Sequence, residues 1–293
     1  MPVSTIPVGF VDKFRGDYIL LSQQKESRLW NTVRHDPDML QGRFGYYDYI
    51  GSVSMYQRTS RHQDTGVVEV PHSRRRITLA DYELPHLLDK QDVMRLVADP
   101  QGKYMQNMIA AANRKKDDII INAWEANAQS VDENMAATPI ALPNGQIITE
   151  GGTAGLTVTK LLKVKEILDA AEIDEDEGRT AVVGSRQITD LLNTTEIKSA
   201  DYNTVKALAE GRINDFMGFR FIRIERLNKT GNMRRCGFYG KNAIGIAVGE
   251  DFSVSIDPRP DKGNATQLLG TMSADATRIE DKKIVVVESY EAP

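Results

Sequence analysis

The sequence predicts an α+β protein, and three observations carry that prediction. A stretch from Gly42 to His86 is dense in β-forming residues and is interrupted once by a polar segment. An unbroken helical period covers Asp99 to Ala128. After residue 155, short helices and strands alternate to the end of the chain.

The elements follow in order. The first forty residues are polar and weakly patterned, and a helix within Arg15 to Val33 (Ile19, Leu20, Leu29, Trp30) reads as part of an arm rather than a core element. From Gly42 onward, Phe44, Tyr46, Tyr47, Tyr49, Val53, Met55 and Tyr56, then Val67, Val68 and Val70, flank the polar stretch Gln57 to Gly66, which holds Arg58, Arg61 and Asp64. Two β-rich runs around a polar tip predict a long two-stranded hairpin, with a loose end because no Asn-Gly or Asp-Gly marks a tight turn. An isolated two-stranded ribbon is marginal, so this one needs a partner surface.

Asp99 is a fitting N-cap and Pro100 suits a first helical turn. Met105, Met108, Ile109, Ala112, Ile119, Ile120, Ala123 and Trp124 then recur at steps of three and four. A helix over 100–128 would be about 43 Å long at about 1.5 Å per residue. Pro139, Pro143, Asn144-Gly145 and Gly151-Gly152 predict a hairpin and a connector. Helices are expected at Lys160 to Ala171, after a capping Ser185, and at Asp201 to Glu210. Strands are expected at Thr180 to Val183, Phe219 to Arg226, Cys236 to Tyr239, Ala243 to Val248, Phe252 to Ile256 and Ile284 to Glu288.

Composition bounds the function. The 293 residues, 41% apolar and 27% charged, are those of a globular chain and not a disordered one. No apolar run is long enough to span a membrane, and no leader is visible at the N-terminus, so a cytoplasmic chain without a membrane partner is expected. The lone Cys236 excludes an internal disulfide and a cysteine-based zinc site. Residues 1–116 carry 17 basic and 13 acidic side chains, net +4; the remainder carries 20 and 28, net −8. That asymmetry suits a chain whose N-terminal part lies against the C-terminal part of another copy.

Candidate chemistry is sparse. His35, His62, His72 and His86 lack metal-ligand spacing. Gly151-Gly152-Thr153-Ala154-Gly155 lacks the lysine of a phosphate loop, and Asp174-Glu175-Asp176-Glu177-Gly178 misplaces the glycine of a calcium loop. Ser185 follows a strand, but Gln187 replaces the second glycine of a nucleophile elbow. No catalytic residue, cofactor or metal is expected. The triplet Arg74, Arg75, Arg76 is expected to pair with carboxylates on a neighbouring surface rather than with nucleic acid.

The order of elements resembles the major capsid proteins of tailed bacteriophages, which share the Hong Kong ninety-seven fold. The segments correspond to an N-terminal arm (1–41), an extended loop (42–86), a spine helix with the first part of a peripheral domain (87–154), an axial domain (155–250) and closing peripheral strands (251–293). Thr180 to Gln187, Ser199-Ala200-Asp201-Tyr202 and Gly211 to Ile222 look like axial-domain stretches of one podovirus and siphovirus group, and Thr266 to Glu288 resembles the closing strands.

The resemblance implies a non-enzymatic subunit that assembles in the host cytoplasm as hexamers and pentamers into the icosahedral virion capsid. That shell would enclose double-stranded DNA without sequence-specific binding. Implied partners are a separate scaffolding protein, a portal protein and a cement protein. Inter-subunit contacts are expected from Tyr46, Tyr47, Tyr49, Tyr56, Arg58, Arg61, Arg74, Arg75 and Arg76. In the cross-linking branch of the fold, a loop lysine forms an isopeptide bond; here no lysine lies between Lys25 and Lys90, so none is expected. The alternatives are an encapsulin-like bacterial compartment shell and a cytoplasmic α/β hydrolase using Ser185 or the Asp174 to Glu177 carboxylates.

Overall fold

The computed structural model describes residues 21–36, 40–41, 44–88, 101–132, 135–149, 151–173, 177–193 and 215–291. Short strands β1 (Arg34–His35) and β2 (Leu40–Gln41) precede β3 (Phe44–Ile50), β4 (His72–Thr78), β5 (Ala80–Leu88) and the helix α1 (Gln101–Glu125). Then come β6 (Ala128–Val131), β7 (Ala137–Ile140), β8 (Ile147–Ile148), α2 (Val158–Ala170), β9 (Arg179–Val183) and α3 (Ser185–Asn193). The chain closes with β10 (Asp215–Phe216), β11 (Phe219–Arg223), β12 (Lys229–Thr230), β13 (Met233–Gly240), β14 (Ile244–Arg259), β15 (Ala265–Arg278) and β16 (Ile284–Tyr290).

Two compact units share the chain: one of Met1–Trp30, Leu79–Asp118 and Val248–Ala274, the other of Asn31–Thr78, Ile119–Ala247 and Asp275–Pro293. In the first, β5 runs antiparallel to β15 from Ala80↔Ala274 to Leu88↔Thr266. β14 lies on the other side of β15, and the connection between them turns at Gly263, whose φ of 63° is the left-handed conformation glycine adopts without strain. Leu88, Met108 and Leu268 form the core, with Tyr104, Phe252 and Val254 packed against it.

This unit also holds the arm residues 21–29, and no helix forms there. The reason is a buried carboxylate. Asp117 of α1, fully excluded from solvent, accepts from Ser27 Oγ at 2.6 Å, the Arg28 amide at 3.2 Å and the Leu29 amide at 3.1 Å, as well as from Gln24 Nε2. Those amides would otherwise need helical partners; the carboxylate satisfies them in an irregular trace. Asn113 donates to the Lys25 carbonyl and Arg114 to Gln23 and the Gln24 carbonyl, extending the clasp along one helix face.

In the second unit, a sheet ordered β10-β11-β9-β13-β16-β8 forms the largest core. β9 is buried at all five positions, parallel to β11 and antiparallel to β13; Ala181, Val182 and Val183 fill the core while the buried Arg179 pairs with Asp169 at 2.6 Å. α2 is capped by Thr157 and buries Leu161, Val164 and Leu168. The last turns of α1 are buried nearly all round, through Ile119, Ile120, Ile121, Ala123 and Trp124. Trp124 lies so close over Gly237 that a Cβ there would stand 2.7 Å from the indole.

Several expectations are corrected. α1 spans 25 residues, about 37 Å at about 1.5 Å per residue, and ends at Glu125 because the chain turns at Ala126 into β6. Ile109, expected on its buried face, is exposed, while Ala110 is buried. The hairpin after α1 pairs β6 with β7, from Ala128↔Ile140 to Val131↔Ala137, ahead of Asn144-Gly145. The two strands read at Ala243 to Val248 and Phe252 to Ile256 are one, β14. Ser185 is the first residue of α3 rather than its cap; the Glu225 carboxylate takes its amide at 2.7 Å. The Asp99–Pro100 start, the Asp174 to Glu177 run except Glu177, and the Asp201 to Glu210 helix lie outside the described residues.

Candidate assembly surface

The nine residues expected to make inter-subunit contacts all lie in the second unit, on and around the β3–β4 ribbon. Register sets their faces: Tyr46 stands opposite Arg76, Tyr47 opposite Arg75, Asp48 opposite Arg74 and Tyr49 opposite Ser73. Because side chains alternate, Phe44, Tyr46 and Asp48 share one face with Arg74 and Arg76, while Tyr47, Arg75 and Ile77 share the other.

The first face is a partly exposed ladder of arginine on aromatic rings. The Arg76 guanidinium lies 4.9 Å from the Phe44 ring centroid and that of Arg74 5.2 Å from Tyr46. Arg74 also forks onto both oxygens of Asp48, and its hydrogen bond holds that carboxyl below the usual carboxylate range. Beside this ladder an open pocket of about 560 Å³ is lined by Asp48, His72, Arg74, Asp132 and Met135.

The second face points inward. Tyr47 is 4% exposed, and burial pushes its phenol far above the ordinary value. Its hydroxyl donates to the Ile246 carbonyl at 3.4 Å, and its ring lies over Gly245, where a Cβ would fall 2.3 Å from Cζ. Arg75 is 5% exposed and donates to Asp281 at 2.8 Å. Arg75, expected to meet a carboxylate on a neighbouring surface, meets one in its own chain, and Tyr47 packs in the core of its own chain.

Beyond Ile50 and His72 the ribbon opens. Residues 51–71 form no strand, so Val67, Val68 and Val70 are not the second strand of the hairpin; that strand is β4, which holds the arginine triplet and pairs with β3 on one side and β6 on the other. Gly51 donates to the Pro71 carbonyl at 2.8 Å and Tyr56 Oη to that of Gly66 at 3.1 Å. Val53, Met55, Tyr56, Val67, Val68 and Val70 are exposed, Met55 completely. Arg58 folds back on the carbonyls of Ser60 and Arg61 at the tip. The excursion thus exposes large apolar and aromatic side chains on a trace that forms no strand.

A sequence profile of the family described as phage capsid protein matches residues 6–291. The chain belongs to the phage capsid protein family. It is a capsid shell protein of the virion, and its fold is that of tailed-phage capsid subunits. It is similar to the capsid of Cyanophage P-SCSP1u at 16% identity and TM-score 0.74, covering 97% of this chain and 94% of that one. It is similar to the capsid of Ralstonia phage GP4 at 10% identity and TM-score 0.72, covering 100% and 99%. Against the Cyanophage Pam1 capsid asymmetric unit it has 12% identity and TM-score 0.73, covering both chains in full. No curated protein sequence matches it.

In this capsid protein the sequence did not announce one node, built around Arg278. Fully buried, it donates to the carbonyls of Ala126 and Ile140 at 2.7 Å each and of Trp124 at 3.3 Å, and to Asp281 at 2.9 Å. It thus closes the C-terminal end of α1, where carbonyls lack helical partners. Burial lowers its pKa, and Asp281 opposes that shift while also receiving Arg75. The base of the excursion is therefore tied to the end of α1 through one carboxylate. A lone arginine between Thr277 and Ile279 carries no spacing signal that would have revealed this role.

Proposed function

We propose that this capsid protein assembles as hexamers and pentamers into a closed icosahedral shell around double-stranded DNA, with residues 51–71 of each copy lying across an adjacent subunit. The observation that carries this reading is the excursion itself: exposed Val53, Met55, Tyr56, Val67, Val68 and Val70 on backbone that forms no strand. Burying such surface against a second copy supplies association energy on the order of 25 cal/mol per Å² before ordering costs. Tyr56, Arg58 and Arg61 are the contacts best placed to act; Tyr46, Tyr49, Arg74 and Arg76 flank them on the ribbon. Subunits are made in the host cytoplasm, a separate scaffolding protein guides closure, a portal protein occupies one vertex and a cement protein is a further partner. The role is structural and not enzymatic, and DNA contact is without sequence preference.

Deleting residues 57–66 tests this. The variant is expected to remain a folded monomer by circular dichroism and gel filtration and to form no closed shells by electron microscopy when co-expressed with its neighbouring gene products. Intact shells from it would remove the excursion from assembly.

A further inference from the structure

We propose that Arg75 is a positioning residue for assembly: through Asp281 it fixes the direction in which the β3–β4 ribbon, and with it the excursion, leaves the second unit, at a cost to the stability of the lone subunit. This rests on the reading above that residues 51–71 lie across an adjacent subunit, and it names a residue that aims them.

The charges at the base of the ribbon do not balance. Arg75 is 5% exposed and Arg278 not at all, yet both draw on the Asp281 carboxylate, one oxygen each: Arg75 Nη2 donates to Oδ2 at 2.8 Å and Arg278 Nε to Oδ1 at 2.9 Å. Two buried cations thus share one anion. Arg278 offsets its burial through the carbonyls of Trp124, Ala126 and Ile140. Arg75 does not, since its Nε and Nη1 are buried and meet no acceptor among the described residues. Burial, and after it the charge of Arg75, lower the pKa of Arg278 against the pull of Asp281. A cation so placed costs the fold more than an apolar side chain of similar length, because desolvating it outweighs half a carboxylate. Tyr47 and Ile77, which share its face of the ribbon, are buried beside it, so packing alone does not call for a guanidinium there.

What the arginine supplies and packing does not is direction. A charge-assisted N–H···O bond holds an angle, whereas apolar contact is non-directional. Asp281 opens the short helical turn Asp281–Lys283 between β15 and β16, and Arg278 ties that turn to the end of α1. The ribbon is thereby referenced to rigid parts of its own unit. Leverage makes the angle matter. Arg61 in the tip lies fourteen positions before Arg75. That is at most about 46 Å at about 3.3 Å per residue, so a tilt of about 10° at the base moves the tip by as much as about 8 Å. Apolar contact ends at about 4.5 Å between heavy atoms, and an excursion displaced that far misses the surface meant to receive it.

Arg75→Met separates aiming from folding, because it removes the cation, leaves Arg278 and Asp281 as a matched pair and preserves most of the side-chain length. The full-length variant is expected to unfold in denaturant at the midpoint of the unchanged chain or at a higher one. Co-expressed with the neighbouring gene products, it is expected to yield at least tenfold fewer closed shells per folded subunit by electron microscopy, in favour of open or irregular particles. Arg75→Lys, which keeps a charge-assisted donor facing Asp281, is expected to recover shells to within about threefold of the unchanged chain. Normal shells from Arg75→Met would overturn the proposal. So would a lower midpoint or loss of the fold in that variant, either of which makes Arg75 an ordinary structural residue. Shells no more abundant from Arg75→Lys than from Arg75→Met would also overturn it, since the bond to Asp281 would then not be what aims the ribbon. If the 57–66 deletion abolishes shells while Arg75→Met forms them, the excursion still bridges subunits and only its aiming is misassigned; if that deletion leaves shells intact, the underlying reading fails.

Discussion

Asp275 on β15 is half-buried, and burial lifts its carboxyl to about 6; the Ala276 amide opposes this without cancelling it. A carboxyl whose folded pKa exceeds its unfolded value favours the fold when protonated. That stability is present below about pH 4 and is lost as pH rises through about 6. Asp275→Asn is therefore expected to raise the unfolding free energy by about 1–2 kcal/mol at pH 8, allowing for partial exposure, and to change it little at pH 4. Denaturant unfolding at the two pH values checks this, and an equal effect at both would refute it. Gly245 makes a second residue-scale demand. Gly245→Ala drives a methyl into the Tyr47 ring and is expected to cost about 1–3 kcal/mol, whereas Tyr47→Phe, which loses one 3.4 Å hydrogen bond, is expected to cost about 1 kcal/mol or less. Neither position was legible in the sequence, since the need for glycine depends on which ring crosses it.

Elements with strong periods were legible and those with weak ones were not. The apolar steps of α1 and α2 and the β-forming Thr180 to Val183 of β9 located those elements to within a few residues. β15, which the resemblance covered within Thr266 to Glu288, escaped the residue pattern because Ala, Ser, Thr and Gly fill much of Ala265–Arg278, and small residues carry little β signal although they alternate in burial. β4 was hidden by its three arginines, whose alternation into ladder and core emerges only from the register with β3. The arm was read as helical because its backbone partner, Asp117, lies far along the chain. Asp117→Ala is expected to leave the Arg28 and Leu29 amides unpaired, to cost about 2–4 kcal/mol, and to speed proteolysis at Lys25 and Arg28 while α2 and β13 keep their hydrogen-exchange protection. Protection unchanged at Arg28 and Leu29 would show that the carboxylate does not hold the arm.

At the scale of the whole molecule, the near-neutral total of −4 conceals halves of +4 and −8, and much of that charge is already paired within units. Lys116 meets Asp251 at 2.6 Å, Arg179 meets Asp169 at 2.6 Å, and Arg234 meets Glu291 at 2.9 Å. The cations of these pairs are buried and already partnered inside the subunit, so the proposed assembly draws chiefly on apolar area, which the excursion exposes. The excursion itself carries no lysine or cysteine for covalent reinforcement. No lysine lies between Lys25 and Lys90 to form an isopeptide bond from the excursion. The single thiol, Cys236, is fully buried, and burial pushes its pKa up to about 12, so it offers no thiolate for exchange near neutral pH. Mature particles boiled in detergent without reductant are therefore expected to run as one band near 32.7 kDa. They are also expected to fall apart in guanidinium before any covalent bond is cut, because the same denaturant that solvates apolar surface removes what joins the subunits. A ladder of covalent oligomers from untreated particles would mean that a residue outside the excursion supplies a cross-link.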